Sequence, residues 1–172
     1  MEFSDDEEVT IFAPDEMRKL LAAANGYMLP FVAVGGFAGV RNKEIRRLTW
    51  DKVGAEFIDI KAGQAKTRSR RLVPIQPCLA AWLKPHRQTS GDLFPPGKNI
   101  ENEIKRLAAD AGVTWKRNAL RHSFVSYRMQ ILKNESAVAL EAGNSPTMIF
   151  KNYRELVTDD AAKEWFSIFP PA

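Results

Sequence analysis

Apolar residues recur at helical spacing over most of this chain. Met17, Leu20, Leu21 and Ala24 follow one another at i, i+3, i+4 and i+7, which predicts a helix from about Pro14. Residues 28–38 are almost all apolar or glycine, which predicts a buried core helix that ends at Gly39. The same kind of pattern predicts further helices at 79–85, 100–111, 135–142, 146–153 and 159–166, and one that follows residue 118.

The helix after residue 118 combines an apolar stripe with candidate chemistry. Leu120, Phe124, Tyr127 and Ile131 are expected to face the core. Asn118 is expected to be the N-cap of this helix, since asparagine is among the best residues there. His122 stands next to the stripe, where a hydrogen-bonded structural histidine is more common than a catalytic one.

The apolar spacing changes between residues 55 and 75. Two short runs alternate like strands, with Phe57, Ile58 and Ile60 in the first and Leu72, Val73 and Ile75 in the second. A turn is expected at 63, between them. The predicted fold class is therefore α+β and mostly α, with one small antiparallel hairpin.

Length and composition favour one compact domain. The chain has 172 residues, of which 45% are hydrophobic, enough for a single core over residues 13–172. Residues 1–12 contain five acids and no base, and are interpreted as an acidic linker or leading segment. No apolar run is long enough to cross a membrane and no signal sequence is evident, so we expect a cytoplasmic protein. One cysteine and two histidines make a metal site improbable, and no cofactor is expected.

Charge is distributed unevenly along the chain. The net charge is only +4, but residues 61–75 and 111–134 contain lysines and arginines and no acid. Such segments favour a polyanion such as DNA, although a solvated basic surface would have the same composition. The basic side chains near the hairpin and before the later helix are Lys66, Arg68, Arg70, Arg71, Lys116 and Arg117.

Arg41 stands at the predicted start of a short helix. Backbone amides at a helix start attract anions, so Arg41 could join them on a phosphate. It could equally form a helical ion pair with Glu44, three residues later. The local sequence leaves both interpretations open.

Several motifs occur in an informative order. They are Gly39-Val40-Arg41 with Glu44 and Leu48-Thr49-Trp50, Lys66-Thr67 leading to Arg71-Leu72-Val73-Pro74, Leu120-Arg121-His122-Ser123-Phe124, Ala142-Gly143-Asn144-Ser145, and Tyr153. Together they resemble the catalytic domain of the tyrosine recombinase, or phage integrase, family. The resemblance covers about residues 12–160, and its specific part is the order and spacing of the motifs.

The resemblance implies a mechanism for cutting DNA. Arg41 and Arg121 would clamp the scissile phosphate, Lys66 would protonate the leaving 5′-hydroxyl, and Tyr153 would attack phosphorus to form a 3′-phosphotyrosyl linkage. Double-stranded DNA would be the partner, with four copies of the protein assembled on two duplexes. The segment from Val157 to Ala172 would dock on a neighbour or fold back on its own chain.

Two positions depart from the family pattern. Asn118 and Asn144 stand where the family usually has a histidine and a histidine or tryptophan. Asparagine cannot accept a proton near neutral pH, so Asn118 cannot activate Tyr153. His122 is a candidate for a supporting role beside the site, although a helix step of about 100° should turn it away.

Other functions stay open at this point. The chain could be a DNA-binding relative whose catalysis is impaired or lost. It could be a helical interaction domain for protein or RNA, or it could act as a type IB topoisomerase, which uses the same phosphotyrosyl chemistry. The family's separate DNA-clamping domain has no counterpart in these residues, so an excised catalytic domain is expected.

Overall fold

The computed structural model describes residues 8–62, 70–153 and 156–172. Over these ranges the chain is mostly helical with one two-stranded antiparallel sheet, which confirms the predicted fold class. The helices are α1 (Pro14–Ala23), α2 (Met28–Ala38), α3 (Asn42–Ile45), α4 (Pro77–Leu83), α5 (Ile100–Ala111), α6 (Ala119–Leu132), α7 (Glu135–Ala142), α8 (Pro146–Tyr153) and α9 (Asp159–Trp165). The strands are β1 (Phe57–Ile60) and β2 (Arg71–Pro74), and short 3₁₀ turns cover Trp50–Lys52 and Lys84–His86. No helix in these ranges is long and apolar enough to span a bilayer.

Helix α2 lies at the centre of the core. It is buried along almost its whole length and packs against α1, α4 and α6. It ends at Gly39, whose φ of 66° is in the left-handed region that favours glycine. A Cβ atom there would lie 2.2 Å from Cδ1 of Phe124, so only glycine lets α2 end this close to α6. Arg41 follows two residues after this ending, close enough to Arg121 of α6 for the two charges to repel.

The two strands pair antiparallel, as predicted. Ile58 lies opposite Val73 and Ile60 opposite Arg71, with Ile58 and Val73 fully buried. The expected turn at 63, together with Lys66 and Arg68, lies outside the described residues.

The expected buried stripe on α6 ends earlier than predicted. Leu120, Phe124 and Tyr127 are buried, but Ile131 is 39% exposed. The prediction for Ile131 is therefore wrong, because the buried part of α6 stops at Tyr127, before the last turn of the helix.

The leading segment is part of the domain over its last residues. Phe12 is fully buried against Trp115, with ring centroids 5.4 Å apart. Its amide donates to Ser123 Oγ at 2.8 Å, and the Tyr127 hydroxyl donates to its carbonyl at 2.7 Å. Thr10 and Phe12 thus contact α6, and the domain boundary after residue 12 stays a prediction.

The C-terminal segment folds back on its own chain. Trp165 on α9 is fully buried, stacks on Tyr127 at 4.6 Å and donates from its indole nitrogen to the Gly36 carbonyl at 2.9 Å. Of the two arrangements expected for residues 157–172, α9 adopts the one in cis.

Candidate active site

Arg41 is held by the chain that follows α7. Its Nη2 donates to the Gly143 carbonyl at 3.0 Å and to Asn144 Oδ1 at 3.1 Å. Its Nη1 also lies 3.4 Å from Glu44 Oε1. The expected helical ion pair with Glu44 therefore forms, and it leaves the guanidinium in contact with the helix break at 143–144.

Glu44 is shared between two arginines. Its carboxylate accepts bonds of 2.7 and 3.0 Å from Arg71, in addition to its contact with Arg41. Burial alone would raise the pKa of Glu44, but the hydrogen bond and charge of Arg71 and the charge of Arg41 outweigh it and lower the pKa. Glu44 is thus an ionised carboxylate that orients two cations.

We expect this pairing to give the fold an acid-sensitive contribution. A lowered pKa means that the stability due to Glu44 is present above its ordinary value of 4.5 and is lost as the pH falls through the folded-state value. Glu44→Gln should reduce the free energy of unfolding by about 2 kcal/mol at pH 7, and this difference should shrink at pH 3. Urea denaturation at both pH values measures it. The exposed Glu101→Gln is the matched control, and an equal loss from Glu44→Gln at both pH values would contradict the assignment.

Arg71, a predicted DNA-binding side chain, is held by groups of its own chain. Its side chain is only 10% exposed, and it donates to Glu44 and, through Nε, to the Glu141 carbonyl at 3.0 Å. The side chain therefore makes internal contacts that join β2 to α3 and α7.

Arg121 is the most buried cation of the cluster. It is 6% exposed, and its Nη1 donates to the Gly39 carbonyl at 2.7 Å. Its Nε and Nη2 are buried and have no hydrogen-bond partner among the described residues. Burial lowers the pKa of Arg121 to about 9, and repulsion from Arg41 and Arg71 contributes further. Such an arginine remains cationic at neutral pH and lacks only an anion.

Gly143 and Asn144 close the cluster on the side of α7. Gly143 has φ of 72°, and a Cβ atom on it would lie 3.0 Å from Arg71 Nη1 and 3.2 Å from Arg41 Nη1. Glycine therefore allows the backbone to lie directly on two guanidinium groups. Asn144 Nδ2 is buried without a hydrogen-bond partner within the described ranges, so it is a further donor beside the cations.

The three arginines share one mode of support. Each donates to a main-chain carbonyl at the end of a helix: Arg121 to Gly39 after α2, Arg71 to Glu141 in the last turn of α7, and Arg41 to Gly143 after α7. Helix C-termini carry partial negative charge and attract cations. Three cations and one carboxylate leave this cluster with an excess of positive charge that suits a phosphate.

Tyr153 lies at the end of α8 beside this cluster. It is 3% exposed and packs with Phe124, Val138 and Ile149 of α6, α7 and α8. Burial raises the pKa of Tyr153 to about 12, although the charges of Arg121 and Arg41 oppose the shift. The buried phenol is therefore protonated at neutral pH and needs an acceptor before it can act as a nucleophile.

His122 lies against Tyr153, although the helix step was expected to turn it away. It is 1% exposed, and its ring meets the ring of Tyr153 edge to face with centroids 5.9 Å apart. Its Nδ1 lies 3.3 Å from the Thr10 carbonyl. His122 thus contacts the main chain at Thr10 and also lies next to Tyr153, the candidate nucleophile.

Asn118 occupies the N-cap position of α6 without capping it. It has φ of 55°, a left-handed conformation that asparagine tolerates, and its side chain makes no capping hydrogen bond. The predicted position is correct, but the predicted hydrogen bond does not form, because a left-handed residue directs its side chain away from the N2 and N3 amides.

Comparison by structure finds similar proteins, whereas comparison by sequence finds none. No protein-family model and no curated protein matches the chain. The fold is similar to that of XerA recombinase, with a TM-score of 0.72 and 21% identity over 94% of this chain and 65% of that one. It is also similar to the catalytic domain of bacteriophage HP1 integrase, with a TM-score of 0.66 and 21% identity over 85% of this chain and 87% of that domain. The chain has the fold of a tyrosine recombinase catalytic domain.

Another similar structure contains DNA. XerH site-specific recombinase bound to its difH substrate in a pre-cleavage complex matches with a TM-score of 0.64 and 16% identity, over 98% of this chain and 57% of that one. The chain thus spans about two thirds of the XerA chain and little more than half of the XerH chain. The resemblance predicted from the ordered motifs is confirmed at the level of the fold.

The recombinase fold brings together some of the predicted residues and not others. Arg41, Arg121, Asn144 and Tyr153 lie around one cluster, whereas Lys66 lies outside the described residues. The sequence interpretation did not anticipate that Glu44 would bind Arg71. The spacing of Arg41 and Glu44 and the motif around Arg71 are visible in the sequence. Nothing near either arginine in the sequence indicates that both would bind the carboxylate of Glu44.

The predicted DNA-binding side chains also differ among themselves. Arg70 is 67% exposed at the edge of the hairpin, where two bonds of 2.8 Å join it to Asp59, and Arg117 is exposed. Lys116 is instead directed inward, with Nζ 3.0 Å from the Ile11 carbonyl and 3.3 Å from Glu16 Oε1. DNA binding by Lys116 stays a prediction, and in this structure its amine ties the leading segment to α1. Arg68 lies outside the described residues.

The described residues offer no place for a metal ion of the usual kind. Within 8–62, 70–153 and 156–172, no three His, Cys, Asp or Glu side chains come together. Cys78 is buried and burial raises its pKa to about 12, which makes it a poor ligand and nucleophile.

Proposed function

We propose that this chain is the catalytic domain of a site-specific DNA recombinase that cleaves and rejoins strands through a 3′-phosphotyrosyl intermediate on Tyr153. The observation that carries the proposal is the buried Arg121, whose Nε and Nη2 have no hydrogen-bond partner among the described residues, beside Arg41 and the buried Tyr153. A buried cation without an anion is costly, and a phosphodiester would supply the missing acceptors.

The proposed chemistry follows from these positions. Tyr153 Oη gives its proton to a base and attacks the phosphorus. The bond to the 5′ oxygen breaks, and that oxygen takes a proton from Lys66, as the resemblance implies. Arg41 and Arg121 hold the nonbridging oxygens, on which negative charge builds up in the transition state. The tyrosyl ester keeps the energy of the broken bond, so a second 5′-hydroxyl can reverse the step and join a new strand.

The proposed partner is double-stranded DNA, bound partly by Arg68, Arg70 and Arg117. We also propose that four copies assemble on two duplexes during exchange, as the resemblance implies. The similarity to a DNA-bound recombinase supports the choice of DNA.

Covalent trapping tests the proposed function. Duplexes enriched by binding from a random-sequence library are nicked next to the cleavage point, so that the released fragment diffuses away and religation fails. A DNA-linked protein band on a denaturing gel is the expected result. The absence of a band from duplexes that bind in a mobility assay would contradict the proposed chemistry.

A second candidate is a DNA-binding recombinase relative with impaired or lost catalysis. Asn118 and Asn144 favour it, because neither amide can accept or donate a proton as an acid or base. The double variant Asn118→His, Asn144→His separates the two functions. A covalent band that appears only in the double variant would show that these two positions alone limit the site.

A further inference from the structure

The contact between His122 and Thr10 fixes the tautomer of a buried imidazole. A main-chain carbonyl can only accept a hydrogen bond, so the 3.3 Å contact places the proton on Nδ1. In the neutral ring the lone pair then lies on Nε2. His122 therefore has the protonation pattern of a base that a main-chain carbonyl orients through its other nitrogen.

The segment that presents Thr10 is itself firmly held. Phe12 is fully buried, its amide donates to Ser123 Oγ at 2.8 Å, and its carbonyl accepts from Tyr127 at 2.7 Å. Lys116 adds a bond of 3.0 Å to the Ile11 carbonyl. The Thr10 carbonyl is thus fixed from the same helix that carries His122.

The ring of His122 contacts the ring of Tyr153, the residue whose hydroxyl must lose a proton. His122 is 1% and Tyr153 3% exposed, and their rings meet edge to face at 5.9 Å. The charged groups that act on Tyr153 or on its neighbour Arg121 are Arg41, Arg71 and Glu44. Counted with Arg121, three of these four groups are cations, which favour the phenolate that deprotonation would leave.

The other candidate acceptors are chemically unsuitable. Asn118 and Asn144 carry amides, which do not take up protons near neutral pH. Glu44 is bound by Arg71 and Arg41, and its lowered pKa makes it a weak base. The second histidine of the chain, His86, lies in the 3₁₀ turn after α4, in another part of the fold.

We infer that His122, oriented by the carbonyl of Thr10, accepts the proton of Tyr153 in this chain, in place of the histidine missing at position 118. This inference rests on the proposed function. The O–H bond of Tyr153 breaks and its proton moves to Nε2 of His122, while Oη bonds to phosphorus. The bond from phosphorus to the 5′ oxygen breaks, and that oxygen takes its proton from Lys66. Rejoining reverses both transfers.

The tautomer can be measured without any DNA. Nitrogen-15 NMR distinguishes protonated from unprotonated ring nitrogens, and His86→Gln assigns the signals, because the chain has only two histidines. At pH 8 we expect His122 to be protonated on Nδ1 alone. Protonation on Nε2 would overturn the inference whether or not the protein cleaves DNA.

The proton transfer is tested with a 5′-bridging phosphorothiolate in a nicked duplex. The sulfur leaves without a proton, so the pH profile of covalent product reports activation of Tyr153 rather than the action of Lys66. The variant His122→Asn keeps a donor near the Nδ1 position but has no basic nitrogen, and His122→Gln places an amide near Nε2. We expect each to slow product formation at pH 7.5 by about 100-fold or more and to depend on hydroxide at higher pH.

Controls separate the possible failures. Circular dichroism and DNA mobility shifts confirm that the variants fold and bind, and Asn118→His added to His122→Asn should restore much of the rate. A rate reduced equally at every pH would mean that His122 only supports the fold, and an unchanged rate would mean that it has no role. Either result overturns the inference about His122 and leaves the proposed function intact. If the natural chain gives no covalent product at any pH, the proposed function itself is contradicted.

Discussion

Tyr153→Phe should reduce covalent DNA–protein product to background while leaving DNA binding within about twofold. The change removes one oxygen from a side chain that is 3% exposed, and the phenyl ring still fills the space between α6, α7 and α8. Binding depends mainly on contacts to phosphates, which this variant does not touch. Denaturing gels of the nicked-duplex reaction measure the first quantity, and mobility shifts measure the second.

The matched control is Tyr27→Phe. Tyr27 is half-buried, packs edge to face on Phe94 at 5.3 Å, and lies away from the arginine cluster. The Tyr27→Phe variant should form as much covalent DNA–protein product as the natural chain does. If Tyr153→Phe retained the covalent band, Tyr153 would not be the nucleophile, and the assignment of α8 to the chemistry would be wrong.

Arg121→Met should lower the rate of covalent product formation about 100-fold to 1,000-fold, as expected when one donor to a developing oxyanion is lost. The same variant should make the DNA-free protein more stable, by about 1 kcal/mol. Arg121 is a buried cation next to two others, and two of its donors have no hydrogen-bond partner in the described parts of the chain. Methionine fills similar space without that desolvation cost, although the Gly39 carbonyl loses a donor.

Arg128→Met on the same helix should have the opposite effect on stability. Arg128 is also largely buried, but it forms bonds of 2.9 and 3.0 Å with Glu141. Its removal leaves a carboxylate without its partner and should destabilise the fold by about 2 kcal/mol. Thermal unfolding of both variants without DNA gives the comparison. Equal destabilisation by the two substitutions would show that Arg121 is a structural cation rather than one awaiting an anion.

The helices could be predicted from the sequence because their signals are local. The apolar run of α2, the glycine that ends it and the stripe of α1 depend on residues within a few turns of each other, and these elements begin and end as expected. The order of the motifs also allowed the fold to be predicted, because it indicated which elements meet around Arg41 and Arg121. Ile131 shows the limit of periodicity, which does not indicate where the neighbouring helices stop.

The fate of individual basic residues could not be predicted in the same way. Arg71 and Lys116 have the sequence context of DNA-binding side chains, yet both bind groups of their own chain. The carbonyl that binds Arg71 is 70 residues away, and the one that binds Lys116 is 105 residues away. Whether a cation meets solvent, DNA or a carboxylate is decided by such distant partners, and composition contains no information about them.

Main-chain support of the arginines has a consequence for how such a domain diverges. Every residue has a carbonyl, so the helix ends that hold Arg41, Arg71 and Arg121 need little beyond glycine at 39 and 143 and the correct helix lengths. Neutral drift can therefore replace most surrounding side chains without moving the cations. At 16–21% identity to its structural neighbours, the chain keeps their fold although most of its residues differ from theirs.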